Sequence, residues 1–568
     1  MPAVQLDRCH PRFLATCSQS RRALEDRLPK TTFVMLSPQQ LKTAIRDRQE
    51  LALLDLREER AFSDQGHLLF ASSAPLSRLE LVIAALVPRR TARIVLVDRD
   101  GSLLARGGAV LARLGYTNVS GLAGGTNAWA AAGFEVFTGT NVLSKAFGEV
   151  VEVQAMTPHL SATDVAKLQA EGRNLVVLDS RPMAEFCDMS IPGGIDCPGA
   201  ELVHRALQAA PDPKTLVIVN CAGRTRSIIG AQSLINAGLP NRVVALENGT
   251  MGWEFAGLAL AYGETRTVAP PDPEALAWAR GAAADLAHRA GVQRISPEGM
   301  QHFRSEIASR SLFVFDVRTP EEYLAGHMPG TRSAPGGQLV QSTDHYVGTL
   351  NARIVLVDAE DVRALVTASW LVQMGWTDVF VLEGGVVGLL ETGPELRHVP
   401  GLGDIRPDWI DASSLRRTLA AGGTKVFDLG SSRAFRGGHI PGAWCTTRSR
   451  LTEAVAAHAA DANTIVVTAD DVSLAMLGAA DLEGGSQRAR PLLGGNAAWR
   501  GANLPEEKAA TRLLTEDDVW LAPAQFPPEE QEAEKRRYIQ WELDLPAQIA
   551  RDGDACFRVL RPALRDAP

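Results

Sequence analysis

The residues best suited to chemistry lie in one short segment, Asn220–Gly230, which reads NCAGRTRSIIG. It holds a single cysteine, Cys221, followed by Arg224, Arg226 and Ser227. A cysteine reacts as its thiolate, and cationic neighbours or a helix N-terminus favour that form. These residue types therefore predict that Cys221 is a nucleophile beside a turn that holds an anion.

The elements around this segment are a strand and a helix. Leu216–Val219 is an apolar, β-branched run, and Ser227–Ala237 has helical character. Unpaired N–H groups at the start of the helix would point into the turn. We expect the backbone of Ala222, Gly223 and Thr225 to help stabilise a thiolate or a persulfide sulfur attached to it.

Each polar side chain of the turn has an expected role. Arg224 and Arg226 would attract an anionic sulfur donor, and Ser227 would add a hydrogen bond. The alternative is that Cys221 is a small buried hydrophobic residue at a strand end, as many single cysteines are. The two arginines and the serine that follow Cys221 favour the chemical interpretation.

Four similar units repeat along the chain, and each begins with an apolar strand that ends in an aspartate. These aspartates are Asp55, Asp179, Asp316 and Asp428. In the first three units an arginine follows two residues later, namely Arg57, Arg181 and Arg318. Because the pair also occurs in units without the cysteine, we interpret Asp179 and Arg181 as a structural ion pair. Strands that alternate with helices predict an α/β fold with parallel sheets, whose ligands bind at the carboxyl ends of strands.

With this loop and these repeats, the chain resembles tandem rhodanese-family sulfurtransferases. The family's loop opens with a cysteine, has an arginine five positions on and then a serine or threonine, as Cys221, Arg226 and Ser227 do. Gly223 departs from the pattern, because many family loops carry their glycine one position later. The resemblance implies four rhodanese-like domains, each a parallel sheet flanked by helices, plus a helical C-terminal extension.

The resemblance also implies a reaction. A cysteine persulfide would take a sulfane sulfur from a small anionic donor, thiosulfate or a persulfide, and pass it to cyanide or another thiol. Mercaptopyruvate is a less favoured donor. Phosphatases of the same fold have one more residue between cysteine and arginine than Ala222–Thr225 provides, so phosphatase activity is not expected. A different class of function stays open: a non-enzymatic scaffold, or a sulfur-sensing and binding module.

The repeats predict the domain organisation. The segments are a flexible N-terminal extension (1–35), unit 1 (36–140), the catalytic unit 2 (155–265), a linker helix (270–291), unit 3 (292–396), unit 4 (405–506) and a C-terminal helical extension (507–568). We expect the linker helix to divide the chain into two pairs of units. Residues 1–34 could also precede a true start at Met35.

Three units lack the nucleophile. The positions that correspond to Cys221 hold Asp98 in unit 1, Asp358 in unit 3 and Ala469 or Asp470 in unit 4. None of them is expected to precede a basic turn, so units 1, 3 and 4 are predicted to be inactive. Their expected role is structural, and docking of a protein sulfur acceptor is the alternative.

Other residues have weaker signals. Cys187 and Cys197 are candidates for a second thiol that resolves a persulfide or pairs with Cys221, the alternative being buried or incidental thiols. Near the C-terminus, Tyr538, Trp541 and Leu545 share a helical face that we expect to end at Pro546. This face would dock on its own chain or form a homodimer contact.

The composition bounds the classes of function. The chain has 568 residues and a net charge of -8, which argues against a general nucleic-acid binder. No run of apolar residues is long enough to cross a membrane. The seven cysteines are scattered without a C-x-x-C pair, so we expect free thiols and a cytoplasmic location. No metal-ligand cluster or nucleotide loop is recognisable, and the expected chemistry needs no cofactor.

Overall fold

The computed structural model describes residues 34–386, 388–515 and 518–561. Within these residues four sheets are flanked by helices. The predicted α/β fold of repeated parallel sheets with a helical C-terminal region is confirmed. Most of the predicted N-terminal extension, with Cys9 and Cys17, lies outside the described residues, but Val34 and Met35 already belong to the first strand.

Unit 1 begins at that strand. Its strands are β1 (Val34–Leu36), β2 (Leu51–Asp55), β3 (Ser72–Ser73), β4 (Ile94–Val97) and β5 (Val119–Leu122). Its helices are α1 (Pro38–Arg46), α2 (Glu59–Gln65), α3 (Leu79–Leu86), α4 (Leu104–Arg113) and α5 (Gly125–Ala131). The sequence prediction missed a further helix, α6 (Val142–Ala155), which connects units 1 and 2.

Unit 2 has the strand order β6-β10-β9-β7-β8, with all pairs parallel. The strands are β6 (His159–Leu160), β7 (Leu175–Asp179), β8 (Ile195–Asp196), β9 (Leu216–Asn220) and β10 (Val243–Leu246). The helices are α7 (Ala162–Ala170), α8 (Met183–Asp188), α9 (Glu201–Ala209), α10 (Thr225–Asn236) and α11 (Gly249–Phe255). Ser161 caps α7 by accepting a hydrogen bond from the N–H of Asp164, a role for which serine is among the preferred residues.

Unit 3 repeats this strand order and follows the helix α12 (Pro273–Ala290). Its strands are β11 (Gln293–Ile295), β12 (Leu312–Asp316), β13 (Arg332–Ser333), β14 (Thr349–Leu350), β15 (Arg353–Val357) and β16 (Val379–Leu382). Its helices are α13 (Pro297–Ser305), α14 (Pro320–Ala325), α15 (Gly336–Gln341), α16 (Thr343–Tyr346) and α17 (Arg363–Gln373). The short strand β14 leaves this sheet and pairs antiparallel with β2 of unit 1.

Unit 4 has a sheet of the order β18-β17-β19-β20. Its strands are β17 (Thr424–Asp428), β18 (Trp444–Cys445), β19 (Thr464–Thr468) and β20 (Arg488–Pro491). Its helices are α18 (Ala412–Ala421), α19 (Ser432–Gly437), α20 (Leu451–His458), α21 (Val472–Asp481) and α22 (Gly495–Gly501). Short 3-10 turns occupy Leu76–Arg78, Leu402–Asp404, Arg448–Arg450 and Pro523–Gln525.

The last helix, α23 (Pro528–Asp552), corrects one prediction. Pro546 lies inside it and does not end it. Leu545 and Ile549 of this helix are buried in one cluster with Phe137, Val142 and Ala146. The helix therefore docks on its own chain, against α6, which was one of the two interpretations of its apolar face.

The cores show which units pack together. One continuous core contains Ile228 of unit 2, Ala283 of α12 and Trp370 of unit 3. Another combines Leu81 of unit 1 with residues of unit 4. The expectation that α12 divides the chain into two sequential pairs is therefore wrong. Unit 2 packs on unit 3 through α12, and unit 1 packs on unit 4.

Candidate active site

Cys221 lies directly after β9, at the carboxyl end of a buried central strand. Its side chain is buried, and its thiol donates a hydrogen bond to Ser227 Oγ at 3.5 Å. The Ser227 hydroxyl in turn donates to the carbonyl of Arg224 at 2.8 Å. The predicted neighbours Cys221 and Ser227 are thus together at the start of α10.

The turn is supported from behind by the start of α11. The N–H groups of Thr250 and Met251 donate to the carbonyls of Cys221 and Ala222, at 2.9 and 3.1 Å. Gly249 has φ +55°, and a Cβ at this position would lie 2.2 Å from the Cys221 oxygen. Only glycine permits this close approach, so the turn between β10 and α11 helps to hold the cysteine loop.

Arg226 belongs to the site, and a carboxylate accompanies it. Its two terminal nitrogens donate to both oxygens of Glu185, at 2.8 and 2.7 Å. Its positive charge also lowers the pKa of Cys221. Sequence reasoning missed Glu185, although its position six residues after Asp179 recurs as Glu322 after Asp316.

Arg224 does not take the role expected of it. Its guanidinium bonds both oxygens of Glu149 at 2.8 Å, and it also contacts Glu152 and the side chain of Asn248. Both carboxylates belong to α6, the helix that the sequence prediction missed. Arg224 therefore ties the loop to α6 through two carboxylates, whereas Arg226 has Glu185 as its partner and acts on the Cys221 thiol.

The acidity of Cys221 also differs from the expectation. Burial raises the pKa of the thiol above its ordinary value, and the charge of Arg226 and the hydrogen bonds of Ser227 oppose that rise. Burial therefore favours the neutral thiol over the thiolate in the unloaded cysteine. The sequence interpretation considered the loop and its charges but not the helix that covers them.

The cover is the C-terminal helix α23. A methyl group placed on Gly223 would lie 3.4 Å from both Glu542 Oε2 and Tyr538 Cε1. The Thr225 hydroxyl donates to Glu542 Oε1 at 3.3 Å. The apolar face of this helix was predictable from Tyr538 and Trp541, but nothing in the sequence placed it on the cysteine loop.

The other two thiols of unit 2 have separate surroundings. The Cys187 thiol donates to the carbonyl of Glu264 at 3.0 Å. Cys197 is fully buried in the core, and burial raises its pKa well above the ordinary value. All the cysteines within the described residues are free thiols. Their contacts favour the interpretation that Cys187 and Cys197 are incidental to the chemistry.

The aspartate–arginine pairs have the geometry of a structural brace. Arg181 bonds both oxygens of Asp179 at 2.8 Å and donates to the carbonyl of Met189. Both side chains are buried, and units 1 and 3 have the same contacts in Asp55–Arg57 and Asp316–Arg318. The interpretation as a structural ion pair is therefore supported.

The loop of unit 3 corrects the expectation for the units without cysteine. Asp358 is followed five residues later by Arg363, the same spacing as Cys221 and Arg226. The N–H groups of Val362 and Arg363 donate to Asp358 Oδ2 at 3.0 and 2.8 Å, and the Arg363 guanidinium bonds Oδ1. This turn does hold an anion, and the anion is its own aspartate.

Two negative findings concern the described part of the chain. Its side chains form no cluster of three or more metal-ligating residues. Among the same residues, every helix is too short or too polar to cross a membrane.

Comparison with known proteins identifies the family. A model of the rhodanese-like domain matches residues 37–132, 161–256 and 300–392. This chain belongs to the rhodanese-like family. A crystal structure titled thiosulfate sulfurtransferase from Pseudomonas aeruginosa is 43% identical, covers 93% of this chain and 100% of its own, and superposes with a TM-score of 0.88.

Curated relatives match over a single unit. Thiosulfate sulfurtransferase GlpE of Pseudomonas paraeruginosa is 31% identical over 93 residues, which is 16% of this chain and 79% of the relative. The GlpE protein of Pseudomonas aeruginosa is 29% identical over the same length. Unit 4 lies outside the segments that the family model matches, although its four strands have the same order as the corresponding four strands of unit 2, β8-β7-β9-β10.

Proposed function

We propose that this rhodanese-like protein is a sulfurtransferase in which Cys221 carries the sulfur as a persulfide. The observation that carries the proposal is the position of Cys221 at a strand end, with Ser227 on its sulfur and Arg226 beside it. The names of the relatives, which are thiosulfate sulfurtransferases, support thiosulfate as a donor. The acceptor is cyanide or another thiol.

The first half-reaction follows from the chemistry of these groups. The Cys221 thiolate attacks the outer sulfur of thiosulfate and forms a new S–S bond. The S–S bond of the donor breaks, and sulfite leaves with its electron pair. Arg226, and N–H groups of residues 222–227, stabilise the anionic persulfide that results. The products balance the reactants in atoms and charge without a cofactor.

The comparison between units supports this use of the backbone. In unit 3, N–H groups four and five residues after Asp358 hold its carboxylate. The corresponding groups of unit 2 are the N–H groups of Thr225 and Arg226, which begin α10. We infer that they hold the sulfur anion of Cys221, and that units 1, 3 and 4 are inactive because they have no thiol there.

The activity is tested by the conversion of thiosulfate and cyanide to sulfite and thiocyanate. Cys221→Ser should abolish turnover, because serine forms no persulfide. Cys445→Ser is the matched control, since Cys445 is buried at the end of β18 in unit 4 and should be dispensable. Equal activity of the wild type and Cys221→Ser would contradict the proposal. A fully inactive wild type, whatever the donor, would favour a binding module.

A further inference from the structure

The C-terminal helix brings a buried acid to the cysteine loop. Glu542 is only 1% exposed, and its Oε2 has no hydrogen-bond partner within the described residues. A buried carboxylate oxygen without a partner costs free energy, so it is uncommon unless it serves a function. Its other oxygen accepts the hydrogen bond from Thr225, which begins α10.

The unpartnered oxygen lies at the mouth of the loop. It would be 3.4 Å from a methyl group on Gly223, two residues after Cys221. Its negative charge also raises the pKa of the Cys221 thiol. Glu542 therefore packs against the cysteine loop, and Gly223 places no side chain between the carboxylate and the loop.

A buried lysine accompanies this acid. Lys145 of α6 is 2% exposed and lies 4.8 Å from the ring centre of Tyr538 and 4.7 Å from that of Trp541. Burial lowers its pKa to about 8, and burial raises the pKa of Glu542 to about 7. Lys145 opposes the second shift, since its charge favours the Glu542 carboxylate.

The other groups that act on Glu542 come from three elements. The charge of Glu149 on α6 raises the pKa of Glu542, whereas a hydrogen bond from the Tyr538 hydroxyl on α23 and the charge of Arg224 in the loop lower it. The balance leaves a carboxyl group that ionises near neutral pH. A base of this strength is well suited to proton transfer at neutral pH.

On the basis of the proposed function, we propose that Glu542 accepts the proton of an acceptor thiol as that thiol attacks the Cys221 persulfide. This role fits an acceptor that carries a proton on its nucleophilic atom. An uncharged thiol brings such a proton, and the unpartnered oxygen of Glu542 would receive it.

The step is balanced in atoms and electrons. The acceptor R–S–H gives its proton to the Glu542 carboxylate, and its sulfur forms a bond to the outer sulfur of the persulfide. The bond between the two persulfide sulfurs breaks, and its electron pair stays on Cys221 as a thiolate. The acceptor is oxidised to a persulfide and the Cys221 persulfide is reduced, so no other oxidant or reductant is required.

The test uses full-length protein loaded with thiosulfate and then desalted. Sulfur loss from Glu542→Gln and from wild type is followed by intact mass after addition of β-mercaptoethanol or thiophenol. The pH is chosen so that thiophenol is ionised and β-mercaptoethanol is not. We expect transfer to β-mercaptoethanol to slow by about 10²-fold in the variant, the lower range of general base catalysis, while transfer to thiophenol stays unchanged.

The control is Glu254→Gln. Glu254 of α11 pairs at 2.8 Å with Lys535 of α23, the helix that carries Glu542, and so holds that helix to unit 2. Glu254 is not among the residues that face the loop. This variant should slow neither thiol selectively. Equal slowing of both thiols in Glu542→Gln, or slowing of neither, would overturn the role of Glu542.

The pH dependence of transfer and the uptake of sulfur by the wild type test the proposal further. If Glu542→Gln does not fold, the wild-type rates with the two thiols are compared across pH. The rate with β-mercaptoethanol, corrected for its own thiolate, should fall below about pH 7, and the absence of that fall would contradict the proposal. A wild type that takes up no sulfur would instead contradict the proposed function, on which this inference rests.

Discussion

Units 2 and 3 place an arginine–glutamate pair at the same point of the fold but put different residues beside it. In unit 2 the pair is Arg226–Glu185, and the neighbour is Cys221. In unit 3 the pair is Arg363–Glu322, and the neighbour is Asp358. The arginine–glutamate pair is therefore common to both loops. The loops differ in the residue that follows the central strand, which is Cys221 in unit 2 and Asp358 in unit 3.

The difference shows what the loop itself contributes. In unit 3 the backbone and Arg363 surround the carboxylate of Asp358, and both side chains are almost completely buried. In unit 2 the same architecture surrounds a neutral thiol, which becomes an anion only on ionisation or sulfur loading. The loop of unit 3 therefore surrounds a side chain of the fold, Asp358, whereas the loop of unit 2 would surround an anion once Cys221 is ionised or loaded with sulfur.

The largest effect that separates the units is on stability. Asp358→Asn removes one of the carboxylates that Arg363 pairs with, while Glu322 and Glu201 stay as its partners. We expect the protein to lose about 1.5 to 3 kcal/mol, because the hydrogen bonds from Val362, Arg363 and its guanidinium no longer reach a charged acceptor. Urea unfolding measures the loss, with Cys221→Ser as the control that should change stability less. A larger loss in Cys221→Ser would contradict the distinction between the two loops.

The next effect is the pH dependence of sulfur uptake. Because burial raises the pKa of Cys221, its thiolate is a minor species at neutral pH. The rate of loading by thiosulfate should therefore rise by about tenfold per pH unit below that pKa, since the thiolate is the nucleophile. Stopped-flow or quenched mass measurements would show this rise continuing up to the ordinary thiol value of 9.0. A plateau near neutral pH would mean that the loop already holds a thiolate.

The smallest effect compares the two arginines directly. Arg226→Lys keeps a positive charge but loses the planar fork. We expect loading by thiosulfate to slow by about tenfold, which corresponds to one charge-assisted hydrogen bond. Arg363→Lys is the matched variant in unit 3 and should leave the loading rate unchanged. Equal slowing in both variants would indicate that Arg226 acts only through stability.

Much of this architecture was predictable from repeated local patterns. The apolar strands, the aspartate–arginine pairs and the capped helix after Ser161 are short-range features, so the residues that determine them are close in sequence. The partner of Arg226 could also have been predicted, because Glu185 and Glu322 occupy the same position in their units. Which units pack on each other could not be predicted from the sequence, since this depends on matching surfaces of α12 and its neighbours.

The helix α23, which covers the cysteine loop, shows most clearly what could not be predicted from the sequence. Glu542 lies 321 residues after Cys221, and its helix docks through Leu545 and Ile549. No local pattern links this helix to the loop. Burial, with a smaller contribution from the Glu542 charge, raises the pKa of Cys221, although Arg226 and Ser227 in the loop lower it as the sequence predicted. Arg224 was misassigned for a related reason, because its partners lie on α6.

The most direct measurement is to locate the sulfur after incubation with thiosulfate. The protein is desalted, its intact mass is determined, and the modified cysteine is identified by peptide mapping under conditions that preserve persulfides. We predict one added sulfur atom per chain, on Cys221, removed by dithiothreitol and absent from Cys221→Ser. Sulfur on another cysteine, or undiminished uptake by Cys221→Ser, would contradict the claim that Cys221 is the sulfur carrier.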